Sequence, residues 1–131
     1  HVIATVDGTP IEFAIVPGSW NDSHGMHVLD MNLPEGSRNI ADSGYTNYEF
    51  EDLIKQCDDI WHDTVRKSNS KRIEPAYRSY YKNYWRKIIE NVFSQLTAWI
   101  PTRIHATSIK GFLLKVKFFI YAFTFNKIVK V

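Results

Sequence analysis

Asp42 and Glu90 are the residues whose types and surroundings could do chemistry. Asp42 follows the short run Arg38–Ala41 and precedes Ser43-Gly44, which places its carboxylate at the carboxyl end of a strand, the edge where ligands sit in open α/β sheets. A turn or capping aspartate would suit the same position, and taken alone that plainer role is the commoner one. Glu90 lies in a long helical stretch with Arg86 one turn before it. At about 100° per residue, Arg86 and Glu90 fall opposite a stripe centred near Tyr81, Ile88 and Val92. An exposed pair of this kind contributes only about 0.3–0.5 kcal/mol. Yet after Asp63 the only acidic residues are Glu74 and Glu90. Brought together, Asp42 and Glu90 would form a hard-oxygen site for Mg²⁺ or Mn²⁺, ions that leave positions open for water and phosphate oxygens.

Other reactive groups make weaker patterns. Asp22, His24 and His27 could gather round a metal, but the spacing is not a zinc signature, and a helix cap with surface histidines is simpler. Cys57, the single cysteine, excludes an internal disulfide framework and has no histidine at a nucleophile-like spacing. No glycine-rich phosphate loop of the P-loop or dinucleotide type occurs.

The charge distribution is lopsided. Residues 1–54 hold one cation, Arg38, against nine carboxylates; residues 55–131 hold fifteen Lys and Arg against five. A basic half suits a polyanionic partner, although a solvated basic helical surface has the same composition.

These groups must be positioned by alternating strands and helices, an α/β pattern in a chain of 131 residues, room for one domain. His1–Asp7 and Ile11–Val16 read as a hairpin about Asp7-Gly8. A short helix is expected over Ser23–Met31, capped by Asp22 or Ser23, and Asn32–Ser37 is loop. A strand follows at Arg38–Ala41. Thr46-x-x-Glu49 has the form of a capping box opening a helix to about Cys57, and Asp59–Val65 reads as a further strand. After the basic loop Arg66–Arg72, Pro75 opens a helix to about Ile100, with Tyr77, Tyr81, Tyr84, Ile88, Val92, Leu96 and Trp99 as its apolar stripe. Gly111–Val131 reads as a last helix. Its longest charge-free run, Phe118–Asn126, is far short of the ~20 residues a membrane span needs; a core-packing helix with exposed lysines is the commoner reading, and a membrane-surface helix the alternative.

The residues resemble a known family. Val6-Asp7-Gly8-x-Pro10-x-Glu12-Phe13, Pro17-Gly18-Ser19-x-x-Asp22, Leu33-Pro34-Glu35-Gly36-Ser37, Ala41-Asp42-Ser43-Gly44-Tyr45, Arg66-Lys67-x-Asn69-Ser70-Lys71-Arg72, Arg86-x-x-x-Glu90-x-x-Phe93-Ser94-Gln95 and Arg103-Ile104-His105-Ala106 look like bacterial insertion-sequence transposases with a DDE-type, RNase-H-like catalytic domain. Each motif is weak; together, in order along nearly the whole chain, they are specific.

The resemblance implies an RNase-H-like mixed sheet flanked by helices, and DNA transposition by two-metal hydrolysis and strand transfer with Mg²⁺ or Mn²⁺. It makes Asp42 the second catalytic aspartate, Glu90 the catalytic glutamate, and Arg86 the arginine of the family's Tyr-Arg-Glu-Lys signature. That signature departs elsewhere: Asn83 stands where tyrosine is expected, with Tyr84 next to it, and Thr97 replaces the lysine. Lys67, Lys71, Arg72 and Arg103 join Arg86 as DNA contacts. The first aspartate of the family lies on a strand upstream of this hairpin, and Asp7, in the turn, is a poor substitute. The chain therefore reads as the C-terminal part of the catalytic domain, without its first strand and with an incomplete site. A DNA-binding remnant without catalysis is the alternative. Implied partners are element ends and target DNA, with a homodimer on DNA as candidate assembly and no membrane; the implied location is a bacterial cytoplasm, at the nucleoid.

Overall fold

In the computed structural model, which describes residues 1–129, the chain divides into two compact units: His1 with Val16–Lys87, and Val2–Ile15 with the chain from Ile88 onward. The last two residues of the expected final helix lie outside the described residues.

The second of these units opens with the hairpin. β1 (Val2–Ala4) pairs antiparallel with β2 (Pro10–Phe13), and the register shifts between Ile3 and Ala4. Both arms are shorter than the alternation suggests, because Thr5–Thr9 forms the turn. The Thr5 N–H donates to the Thr9 carbonyl at 2.9 Å, and Gly8 takes φ +81°, a conformation that costs a residue with Cβ more than it costs glycine. Asp7 accepts from the Thr9 N–H at 3.2 Å and serves the turn. The core of this unit is Val92, Leu96, Ile120 and Phe123, from the later part of α3 (Ala76–Trp99) and from α4 (Ile109–Ile128). Ser108 caps α4 through the Gly111 N–H at 3.1 Å.

The first unit is built round a β–α–β crossover. β3 (Arg38–Ala41) pairs in parallel with β4 (Trp61–Thr64), and α2 (Tyr48–Asp58) connects them. Pairs of parallel strands need such a crossover. Parallel and antiparallel pairing thus both occur, but as two two-stranded sheets among the described residues and not as one mixed sheet. Each pair is closed by its own connection, the hairpin turn in one case and α2 in the other.

Three local expectations are corrected. α1 spans Asp22–Met26 and is capped by Asn21, whose side chain accepts from the His24 N–H at 2.8 Å; Asp22 and Ser23 are inside the helix. Asn47, not Thr46, caps α2, accepting from the Phe50 N–H at 3.0 Å. An amide and a hydroxyl compete for neighbouring positions there, and the Thr46 hydroxyl is engaged instead with that of Thr64 at 2.9 Å. The tyrosines of the expected stripe on α3 are exposed: Tyr77, Tyr81 and Tyr84 are not core, whereas Lys82 is 4% exposed. Periodicity identifies a face by residue type and cannot say which face a neighbour covers.

Buried His62 on β4 ties the strand to the turn after β3. Its Nε2–H donates to the Tyr45 carbonyl at 3.2 Å, and Nδ1 accepts from the Asn39 amide at 3.1 Å. Burial holds its pKa below the ordinary 6.5, against the pull of the Tyr45 carbonyl and of Glu51. No helix among the described residues is long and apolar enough to cross a membrane.

Two outcomes follow for stability. Phe123, 2% exposed, is central to its cluster, while Phe118 on the same helix is 61% exposed. Phe123→Ala is expected to cost about 3–5 kcal/mol in urea unfolding, and Phe118→Ala within about 0.5 kcal/mol; equal costs would contradict the packing. For His62, the folded pKa is the lowered one, so below about pH 6.5 the unfolded chain binds the proton more readily and stability falls with pH. His62→Gln should flatten the dependence of the urea midpoint between about pH 7 and 5.5, and an unchanged slope would remove His62 as its source.

Candidate functional site

The carboxyl end of the β3–β4 pair is organised by Thr64, which is fully buried. Its carbonyl accepts from Lys82 Nζ at 3.0 Å. Its hydroxyl meets Thr46 and accepts from Arg66 Nη1 at 2.9 Å. Arg66 in turn forms a two-pronged pair with buried Glu51 on α2, both bonds 2.8 Å. Such paired guanidinium–carboxylate contacts combine charge with fixed geometry, and a carboxylate this deep needs them.

Lys82 carries the second buried charge. Besides the Thr64 carbonyl it donates to Glu74 at 2.5 Å and lies 3.7 Å from Asp63. Burial opposes ionisation of Glu74, but hydrogen bonds from Lys82 and Ser79 outweigh it and hold the carboxyl below its ordinary value. The start of α3 is thereby fastened to the end of β4.

One turn after Lys82 on the same helix, Arg86 Nη1 donates to Asp42 Oδ1 at 3.2 Å, so two of the residues singled out in the sequence meet although 44 positions separate them. Asp42 also caps the 3₁₀ turn Ser43–Tyr45, accepting from the Ser43 N–H at 2.7 Å. The plain capping role and the charge pairing therefore coexist. Tyr45 in that turn has its phenol pushed up to about 12, by burial first and then by the carboxylates of Asp22 and Asp42; its hydroxyl is hydrogen-bonded to His1 Nδ1 at 2.6 Å. Glu90 stands on α3, exposed, one turn beyond Arg86.

The other basic candidates differ from one another. Lys67 and Lys71 are exposed in the loop before α3. Arg72 is held within the protein by Asp52 at 2.8 Å and Glu51 at 3.1 Å, with its guanidinium over the Tyr48 ring. Arg103 lines a recess in the other unit with His105, Lys115 and Phe118. His24 stacks on Trp20 with centroids 4.3 Å apart, and His27 meets Phe50 edge to face. Among the described residues no group of three or more His, Cys, Asp or Glu is placed to hold a metal ion.

Sequence reasoning missed Lys82, Thr64 and the Glu51–Arg66 pair. One signal was available: Lys82, Arg86 and Glu90 are spaced by four on a helix, which aligns them on one side.

Comparison with known proteins bears on the whole chain. No curated protein and no solved structure matches it. The family model for the transposase DDE domain matches residues 1–125, all but the last few positions, and the chain belongs to that family.

Proposed function

We propose that Asp42 and Glu90 are the metal-binding carboxylates of a DNA-cutting and -joining site, with Arg86 as its phosphate-holding cation. Family membership gives the broad function, transposition, and the substrate, DNA. The observation that carries the finer reading is the Asp42–Arg86 pair at the end of β3: it sets a carboxylate beside a guanidinium at the sheet edge where ligands bind in α/β folds.

DDE transposases work with divalent metal ions, and the donor chemistry here fits Mg²⁺ or Mn²⁺, which are often held by one or two carboxylates together with waters and substrate phosphates. Bound there, such an ion would supply Lewis-acid polarisation of the phosphodiester and a more acidic water. The chain's own residues do the rest. Arg86 has a planar fork that can serve Asp42 and phosphate oxygens together. Lys82 and Glu74 keep the helix in place, so that Arg86 need not be reorganised when a strand arrives. Lys67, Lys71 and Arg103 hold backbone phosphates without reading bases; Arg72, committed to Glu51 and Asp52, secures the loop that presents Lys67 and Lys71. A homodimer on DNA, at a bacterial nucleoid, is the setting this reading implies.

A second reading is DNA binding without cleavage. Asp42's capping of Ser43 favours it, since an aspartate kept for a turn needs no metal. Uptake of Mn²⁺ in a titration separates the two. On the first reading the chain takes up the ion, and Asp42→Asn or Glu90→Gln each weakens that uptake by about tenfold or more. Uptake that survives both changes would end the carboxylate assignment. A chain that binds DNA but does not take up Mn²⁺ would establish the second reading.

Binding itself gives a further expectation. Lys67→Glu with Lys71→Glu should weaken binding to every duplex sequence alike and lower the slope of log K against log salt by about 2. A loss confined to one sequence would contradict phosphate contact.

A further inference from the structure

The first turns of α3 turn four tyrosines outward. Tyr77, Tyr80, Tyr81 and Tyr84 are 64%, 71%, 59% and 56% exposed, and their spacing of three, one and three places them on one side of the helix, away from buried Lys82. Over these residues the helix rises about 10 Å. The anchoring of this helix to β4 runs through Lys82 and not through these rings; Tyr84 meets Trp85 edge to face, with centroids 5.2 Å apart.

The chemistry of the face narrows its occupant. Between Ala76 and Lys87 there are four Lys and Arg and no carboxylate. Lys87 is exposed and completes an i, i+4, i+7 row with Tyr80 and Tyr84, while exposed Lys67 and Lys71 lie in the loop before the helix. Broad rings interleaved with cations suit a ligand with both flat faces and negative charge. Tyr80 and Tyr81 meet edge to face, with centroids 6.0 Å apart and planes at 72°, so the two do not stack on each other and ring surface remains for a base.

Resting on the reading that the substrate is DNA, we propose that this face holds an unpaired stretch of DNA strand, two or three nucleotides stacking on the tyrosines with their phosphates at Lys87 and the loop lysines. Duplex DNA keeps its bases stacked inside and could use only the cations. Bases freed from pairing present the π faces that exposed aromatic rings bind, largely independently of sequence.

The test compares the 131-residue chain and its variants in binding a labelled oligodeoxythymidylate and a duplex of equal length, with circular dichroism to confirm folding. The wild type should prefer the single strand. Tyr80→Leu and Tyr84→Leu should each weaken single-strand binding roughly tenfold and leave duplex binding within about twofold. Tyr80→Phe and Tyr84→Phe, which keep the ring, should bind the single strand as the wild type does. Equal weakening by Phe and Leu would mean that the hydroxyls bond phosphates and would overturn stacking. Unchanged single-strand binding in the Leu variants would overturn it too, and if those variants instead abolish self-association on a sizing column, a second copy covers the face. Failure of stacking alone leaves salt-dependent duplex binding intact; loss of both arms in the wild type removes the DNA reading itself.

Discussion

A buried lysine sets the geometry on which the candidate site depends. An ammonium group taken from water is stable only with a close counter-charge and its remaining protons satisfied, and Lys82 has both in Glu74 and the Thr64 carbonyl. The contact fixes which side of α3 lies against the end of β4. Once that side is chosen, helix geometry carries Arg86 one turn on, to Asp42. The Asp42–Arg86 pair is itself partly exposed on both sides and of the class that contributes little stability. It depends on the buried contact for its position.

Around Thr64 the protein uses polar groups where a larger sheet would use aliphatic ones. Glu51, Arg66, Lys82 and Glu74 are drawn together at the end of a four-residue strand, and each charge has an opposite partner. Burial of ions rarely exceeds hydrophobic packing in stability. What it supplies here is direction: forked pairs and a carbonyl contact define one orientation for the edge that carries Asp42. The other unit follows the opposite scheme, with an aliphatic and aromatic cluster centred on Phe123.

Much of this was legible in the residues. The strand Arg38–Ala41 matches the reading at both ends, because a four-residue run held between loop signals has few alternatives. Pro75 marked the start of α3 for the same reason, as its ring suits the first position of a helix and little else nearby. The cap of α2 was misread by one residue: Thr46 and Asn47 are both good caps, and only the Thr46–Thr64 contact, made across 18 positions, decides between them. The tyrosine stripe was misread more deeply. Tyrosine is apolar enough to imitate a core residue in a periodic pattern, and lysine polar enough to imitate a surface one; which of them is covered depended on Glu74 and on Thr64, the latter 18 positions from Lys82.

Under the proposed assignment, the double duty of Asp42 separates folding from chemistry at that position. Its cap on Ser43 needs an oxygen and not a charge, and asparagine caps as well as aspartate. A change of one oxygen to an amide nitrogen there would abolish the negative charge while leaving the turn closed and the strand in place. Genetic drift at this codon would consequently meet almost no folding penalty. A lineage relieved of selection for strand cleavage could lose its chemistry silently, keeping a stable, well-shaped protein with an inert centre.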